Sequence, residues 1–228
     1  MDKDIVKDIV EWDVHNWSRA IDFWSENNIF NNDLRGKKVL DIGGRNGGLS
    51  LYWSLKGAEV DCTDLSENSF EKARILHRKY GVGRQISYYA LDALNLHDEK
   101  KYDIITFKSV LGGIGYDNNY ANQHVAMRNI YRALKPGGFL VFAENLTGTF
   151  LHMWLRRNIR HMRRWRYVKL EEVFQLTEQY RDVKYRTFGL LGGVMPGIMG
   201  NITSLIDSRC DAFLADEWKY IASVVAQK

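Results

Sequence analysis

The chain has 228 residues, of which 45% are hydrophobic and 26% charged, with a formal net charge of +4. That length suits one α/β domain able to bury roughly 70% of its unfolded surface without staples, and the mild charge excludes nothing by itself. Two cysteines, Cys62 and Cys210, make no disulfide framework, and the first ten residues lack the basic start and apolar core of a secretory signal, so a cytoplasmic location is expected.

Residues 1–33 carry eight acids against three bases, and Ile9, Trp12, Trp17, Ile21 and Trp24 form an apolar stripe. One or two helices between Ile5 and Asn27 are expected there, as an N-terminal cap. A buried strand follows at Lys38–Ile42, then a helix at Leu49–Lys56 stopped by Gly57, and a strand at Ala58–Thr63. Ser66 caps a helix that Gly81 ends. Strands are expected at Gln85–Leu91 and Tyr102–Phe107, a helix at Asn122–Leu134, a Lys-Pro-Gly-Gly turn, and a strand at Phe139–Ala143. Strands alternating with helices give a Rossmann-like, doubly wound, mostly parallel sheet over residues 37–145.

Residues 146–228 depart from this rhythm. Between Asn145 and Leu170 there is no acid, while Arg156, Arg157, Arg160, Arg163, Arg164, Arg166 and Lys169 all fall in that window. A basic helix is expected over Phe150–Val168 and a further helix over Leu170–Tyr180. Val183–Phe188 and Tyr220–Ala226 read as strands, an antiparallel edge pair that completes a seven-stranded sheet. The uncharged stretch Gly189–Ile206 is too rich in glycine and polar residues to span a membrane and reads as a flexible lid over an acceptor pocket.

The chemistry gathers at one edge of the sheet. The run Val39-Leu40-Asp41-Ile42-Gly43-Gly44-Arg45-Asn46-Gly47-Gly48 is a strand, a glycine turn and the start of a helix. Asp41, Asp64 and Asp92 close the first three strands, and the fourth runs into Lys108-Ser109-Val110-Leu111-Gly112-Gly113. Ligands of open α/β sheets bind outside the carboxyl ends of the strands. An acid after the second strand can accept from both ribose hydroxyls, and one after the third from an exocyclic amine of adenine. The turn does not follow the GxGxxG pattern of nicotinamide enzymes.

In these motifs, LDIGGRNGG, VDCTDLSE, LDAL, YDIITFKSVL and LKPGGFLVFAEN, residues 37–145 resemble a class I S-adenosylmethionine-dependent methyltransferase. The resemblance implies that Gly43 and Gly47, with Gly44 and Arg45, shape the turn around the methionine part of the cofactor. Asp41 would orient that turn or hold the amino group, Asp64 (with Leu65) the ribose, and Asp92 (with Ala93) the adenine. Phe107 and Lys108 would line the cofactor through their backbone. Arg45 stands where the family usually has glycine; it either reaches the cofactor carboxylate or points away while Gly44 and Gly47 supply the bend.

The methyl acceptor is less legible. Glu144, after the fifth strand, is a candidate base, alternatively a cap or an ion-pair partner. His152 and His124 are further candidates, as is His15 in the N-terminal region, each weighed against a structural role. His77, between Arg74 and Arg78, reads as solvated, and no cluster has metal-ligand spacing. The Arg156–Lys169 segment suits pairing with the acidic N-terminal region, an anionic membrane surface, or RNA. Lys108-Ser109-Val110-Leu111 stands where nucleic-acid base methylases carry an Asn/Asp-Pro-Pro-Tyr motif, which argues against that group.

The segments SVLGGIG, FAENL and WRY resemble bacterial methyltransferases of surface polysaccharide or glycolipid biosynthesis. The expectation is O-methylation of a small-molecule or glycan hydroxyl, on a nucleotide- or lipid-linked sugar, by an enzyme in the cytoplasm or peripheral at the membrane. RNA methylation and a non-catalytic cofactor-binding subunit are the alternatives.

Overall fold

The computed structural model describes residues 2–27, 29, 33–159, 162–191, 203 and 206–228. Five strands, β1 (Lys38–Ile42), β2 (Glu59–Asp64), β3 (Ile86–Ala90), β4 (Tyr102–Lys108) and β5 (Leu134–Asn145), lie parallel; β6 (Arg181–Phe188) and β7 (Ile221–Gln227) complete a seven-stranded sheet of order β3-β2-β1-β4-β5-β7-β6. β1 and β4 are buried along almost their whole length because both faces of a parallel sheet are covered. The order reverses between β1 and β4, which pair from Val39↔Ile104 to Ile42↔Phe107, so the carboxyl ends of these two strands frame the crevice. β7 runs antiparallel to β5 and to β6, with β6 at the edge, the antiparallel edge pair expected from Val183–Phe188 and Tyr220–Ala226.

Each face of the sheet has its own apolar core. α1 (Lys3–Val10), α2 (Val14–Glu26), α3 (Gly48–Ser54) and α4 (Phe70–Lys79) cover one face. Trp17, Ala20, Ile21 and Trp24 of α2 pack with Val141, Ala143, Ile221 and Val225, and Trp24 stacks on Trp53 at 6.1 Å. The N-terminal region is therefore part of the core as well as a cap, and its burial anchors whatever it carries to the site. α5 (Leu111–Ile114), α6 (Tyr120–Ala133) and α8 (Leu170–Leu176) cover the other face, with Met127, Ile130 and Val173 against Leu140 and Phe142.

The basic helix is shorter than its composition suggests. α7 spans Phe150–Asn158, and the chain then turns back rather than continuing to Val168. Tertiary partners take the arginines out of helical register. Arg164 pairs with Asp117 and Arg166 with Glu172, Trp165 packs against Gly112, and Val168 bridges to Leu146 at the end of β5. These acids lie in the body of the protein, not in the acidic N-terminal region, one of the three partners expected for the segment. α8 likewise stops at Leu176, where the Thr177 hydroxyl donates back to the Val173 carbonyl at 2.8 Å. Most of the expected lid, residues 192–202, 204 and 205, lies outside the described residues.

Candidate active site

The glycine turn after β1 is shaped by backbone demands. Gly43 and Gly47 have φ of +68° and +85°, the left-handed region that costs an L side chain roughly 1–2 kcal/mol. Arg45 adopts the same region at φ +44°, which explains why glycine is the easier residue there. The bend thus comes from Gly43, Arg45 and Gly47, whereas Gly44 contributes a ladder-like bond from its N–H to the Thr63 carbonyl at 2.7 Å. His77 lies beneath the turn: its Nε2 is 2.8 Å from the Gly47 carbonyl and its Nδ1 2.7 Å from the Tyr88 hydroxyl. It is fully buried rather than solvated, and burial lowers its pKa.

The carboxyl ends of the strands carry the expected acids. Asp41 is buried under the turn, accepting from Ser50 Oγ at 2.6 Å, while its Oδ1 has no partner. Burial raises its pKa to about 7 against the opposing effects of Ser50 and Lys108. Asp64 accepts from the Arg45 backbone N–H at 3.1 Å, and Leu65 beside it is 74% exposed. Asp92 caps a short turn through Leu94 N at 2.9 Å and Asn95 Nδ2 at 3.0 Å. Ala93 is buried in the core, and its carbonyl accepts from Asn129. Phe107 is buried and stacks on Phe142 at 4.6 Å, so its side chain belongs to the core.

Lys108 differs from the expectation of a backbone contact, because its side chain fills the crevice. Its ammonium lies 3.5 Å from the Trp12 ring centroid and donates to the Val10 carbonyl. Burial lowers its pKa to about 8, with Glu11 and Asp41 opposing and Arg45 reinforcing. The α1–α2 junction that supplies these partners also covers the turn: the Arg45 guanidinium sits 5.4 Å from the Trp12 ring, and Asn46 donates to Glu11 at 3.0 Å. A side chain at Gly48 would meet the Ile9 carbonyl at 2.1 Å, so only glycine lets α1 descend this far. What remains between cap and turn is a crevice of about 10 Å³.

Next to it opens a cavity of about 670 Å³, reached by Gly43, Arg45, Lys108 and Ser109 from the turn side. Trp12, Trp17, Trp165, Leu155, Ile159 and Met162 give it an apolar wall. Its polar side holds residues that sequence reasoning missed. The Tyr220 hydroxyl donates to Asp13 Oδ2 and accepts from Asn16 Nδ2 at 3.0 Å, and both Asp13 and Tyr220 line the cavity. Asp13 and Tyr220 are far apart in the chain, so no local pattern joins them.

The predicted bases are redistributed. Glu144 is 1% exposed and is not a base at the cavity: its Oε2 accepts from Val110 N and Leu111 N, both at 2.8 Å, and its Oε1 from Asn145 N at 2.9 Å. It holds the start of α5, and burial raises its pKa to about 7. His152 lines the cavity and stacks on Tyr220 at 5.0 Å. The Thr149 N–H donates to its Nδ1 at 3.2 Å, which puts the proton on Nε2, an atom with no partner. Burial, with Arg156, lowers its pKa to about 4, and its Nδ1 lone pair is already taken by Thr149, so His152 is not placed as a base. His124 packs edge-on against Tyr120 on α6, outside the cavity lining, and His15 sits half-buried on α2.

Residues 40–140 match the family described as "Methyltransferase domain". The ubiquinone/menaquinone biosynthesis C-methyltransferase UbiE of Shewanella sp. (strain W3-18-1) is 31% identical over 146 residues, covering 62% of this chain and 53% of that protein. The ubiquinone biosynthesis O-methyltransferase of Idiomarina loihiensis is 33% identical over 112 residues, covering 48% of this chain and 43% of that protein. The chain thus spans about half the length of these curated relatives. The fold is shared with a phosphoethanolamine N-methyltransferase of Haemonchus contortus solved with phosphomonomethylethanolamine and S-adenosylhomocysteine (TM-score 0.63, 18% identity, 93% of this chain and 53% of that one). It is shared equally with an S-adenosylmethionine-dependent methyltransferase of Methanosarcina mazei (TM-score 0.62, 15% identity, 89% and 95%). Residues 40–140 are thus a methyltransferase domain, on the fold that S-adenosylmethionine-dependent methyltransferases share.

The residues present in this methyltransferase domain fit its cofactor. The unpartnered Asp41 Oδ1 is a buried acceptor on a residue packed under Gly44 of the turn, which suits an ammonium group. Asp64, at the mouth of β2, suits ribose hydroxyls, and the Asp92–Leu94 turn the adenine edge. Among the described residues no group of three or more acidic, histidine or cysteine side chains could hold a metal, and no helix is long and apolar enough to cross a membrane.

Proposed function

We propose that the chain transfers a methyl group from S-adenosylmethionine to a hydroxyl of a small molecule with an aromatic or otherwise apolar body. The observation that carries this reading is the tryptophan-walled cavity abutting Gly43 and Lys108, with the Asp13–Tyr220 pair on its polar side. The cofactor supplies an electrophilic methyl group on a sulfonium. Trp12, Trp17 and Trp165 hold the acceptor and exclude water; positioning alone can supply on the order of 7–11 kcal/mol. Asp13 is the carboxyl group placed to take the hydroxyl proton, with Tyr220 fixing its orientation and the His152 ring stacked on Tyr220. The curated relatives methylate carbon or oxygen in ubiquinone biosynthesis, which supports a small acceptor with an apolar body.

A glycan hydroxyl is the second reading, because the three tryptophan rings also suit stacking on a sugar. RNA draws less support: Arg156 is buried, donating to the Leu146 carbonyl at 2.5 Å, and Arg164 and Arg166 are paired with acids. Tritiated S-adenosylmethionine with an extract of the source cell separates these readings. Label in solvent-extractable small molecules is expected, label in a water-soluble or lipid-linked glycan selects the second reading, and label confined to RNA or protein overturns both.

A further inference from the structure

α7 is built inside out. At 100° per residue, Arg157, Phe150, Trp154, Asn158 and Leu151 share an exposed arc of about 120°. Phe150 is 83% exposed, Trp154 54% and Leu151 45%, while the polar His152 and Arg156 point inward at 3% and 8%. A helix normally does the reverse, and an apolar face turned to solvent marks a surface awaiting a partner. The inward polar residues have reasons to be there: His152 bonds Thr149, and Arg156 bonds the Leu146 carbonyl and lies 4.1 Å over the Tyr167 ring. The outward face has none within the described structure.

The charge around this face selects the partner. No acid occurs between Asn145 and Leu170. Arg157 on the arc and Arg163 just beyond the helix are exposed, and among the described residues neither has an acid within ion-pair distance. Phenylalanine, tryptophan and leucine ringed by arginine match the interface of a lipid bilayer, where rings enter the headgroup boundary and guanidinium groups meet phosphate. We propose that α7 docks the protein on an anionic bilayer surface through Phe150, Leu151, Trp154 and Arg157. The same helix lends Leu155 to the cavity wall, and Ile159 directly after it lines the cavity too, so docking sets that cavity beside the lipid. The inference stands apart from the methyl-transfer reading, since it needs neither cofactor nor acceptor.

Flotation with vesicles of pure phosphatidylcholine, and of phosphatidylcholine with about one third phosphatidylglycerol, tests it. The intact chain is expected to float with the anionic vesicles and not the neutral ones, and to be released by high salt. Phe150→Ser with Trp154→Ser, and separately Arg157→Glu, are each expected to cut the bound fraction about tenfold while melting temperature and S-adenosylhomocysteine binding stay unchanged. Equal recovery with both vesicles, no recovery with either, or full binding by the double variant overturns the proposal. So does light scattering that shows the wild type dimeric and the double variant monomeric, because the face would then serve a second copy of the chain.

Discussion

The imidazole of His77 supports the carbonyl of Gly47 from below, at 2.8 Å, and so fixes the far side of the cofactor turn to α4. The packing leaves no room for a side chain: a Cβ on Gly47 would lie 2.5 Å from the His77 ring, on a residue already at φ +85°. Gly47→Ala is expected to cost about 1–3 kcal/mol of stability and to weaken S-adenosylhomocysteine binding. Gly81→Ala, at φ +71° with nothing within 4 Å, carries the backbone cost without the clash, and leaves cofactor affinity unchanged. Thermal melts and titration calorimetry on both variants check this.

Glu144 serves the fold. Glu144→Ala would strand the N–H groups of Val110, Leu111 and Asn145, and a loss of about 2–4 kcal/mol is expected. Its folded pKa, raised to about 7, lies above the ordinary value of 4.5. Its contribution to stability is therefore full below pH 4.5 and is lost as pH rises through about 7. Denaturant unfolding of wild type and Glu144→Gln across this window is expected to show the wild type losing stability relative to the variant as pH rises. A constant difference would contradict the assignment.

The Trp12 ring holds two cations, Lys108 at 3.5 Å and Arg45 at 5.4 Å, and so latches the N-terminal cap over the turn. Trp12→Ala is expected to speed S-adenosylhomocysteine release about tenfold, given roughly 0.5–1 kcal/mol per contact. Stopped-flow displacement measures the rate; an unchanged rate would mean the cap does not gate the cofactor.

Asp13→Asn and Tyr220→Phe leave the cofactor turn untouched and alter the polar side of the cavity. Both are expected to retain S-adenosylhomocysteine binding while transfer of tritiated methyl to small molecules in the extract falls about a hundredfold for Asp13→Asn and less for Tyr220→Phe. His124→Ala, outside the cavity, is expected to transfer normally.

The strands and the glycine turn of the first half were readable from the chain because their signals are local. Asp41 and Asp64 stand at the carboxyl ends of β1 and β2 and Asp92 just beyond β3, and Gly43 and Gly47 carry the conformations their turn requires. The role of His77 was not readable, because its sequence neighbours Arg74 and Arg78 are exposed and only the packing of α4 beneath a turn thirty residues away buries it. The basic segment misled for the same reason. Its composition favours one long helix, but Asp117 and Glu172, distant in sequence, draw Arg164 and Arg166 into a return loop. The acceptor side, assembled from Asp13, His152, Trp165 and Tyr220, exists only after α2, α7 and β7 have met.

Titration calorimetry with S-adenosylhomocysteine, on the wild type and on Asp64→Ala, addresses the central claim most directly. Saturable binding by the wild type, weakened about tenfold or more in Asp64→Ala by loss of the ribose hydrogen bonds, is the predicted result. Absence of any binding at millimolar ligand by the folded wild-type protein, or equal affinity in the two, would contradict it.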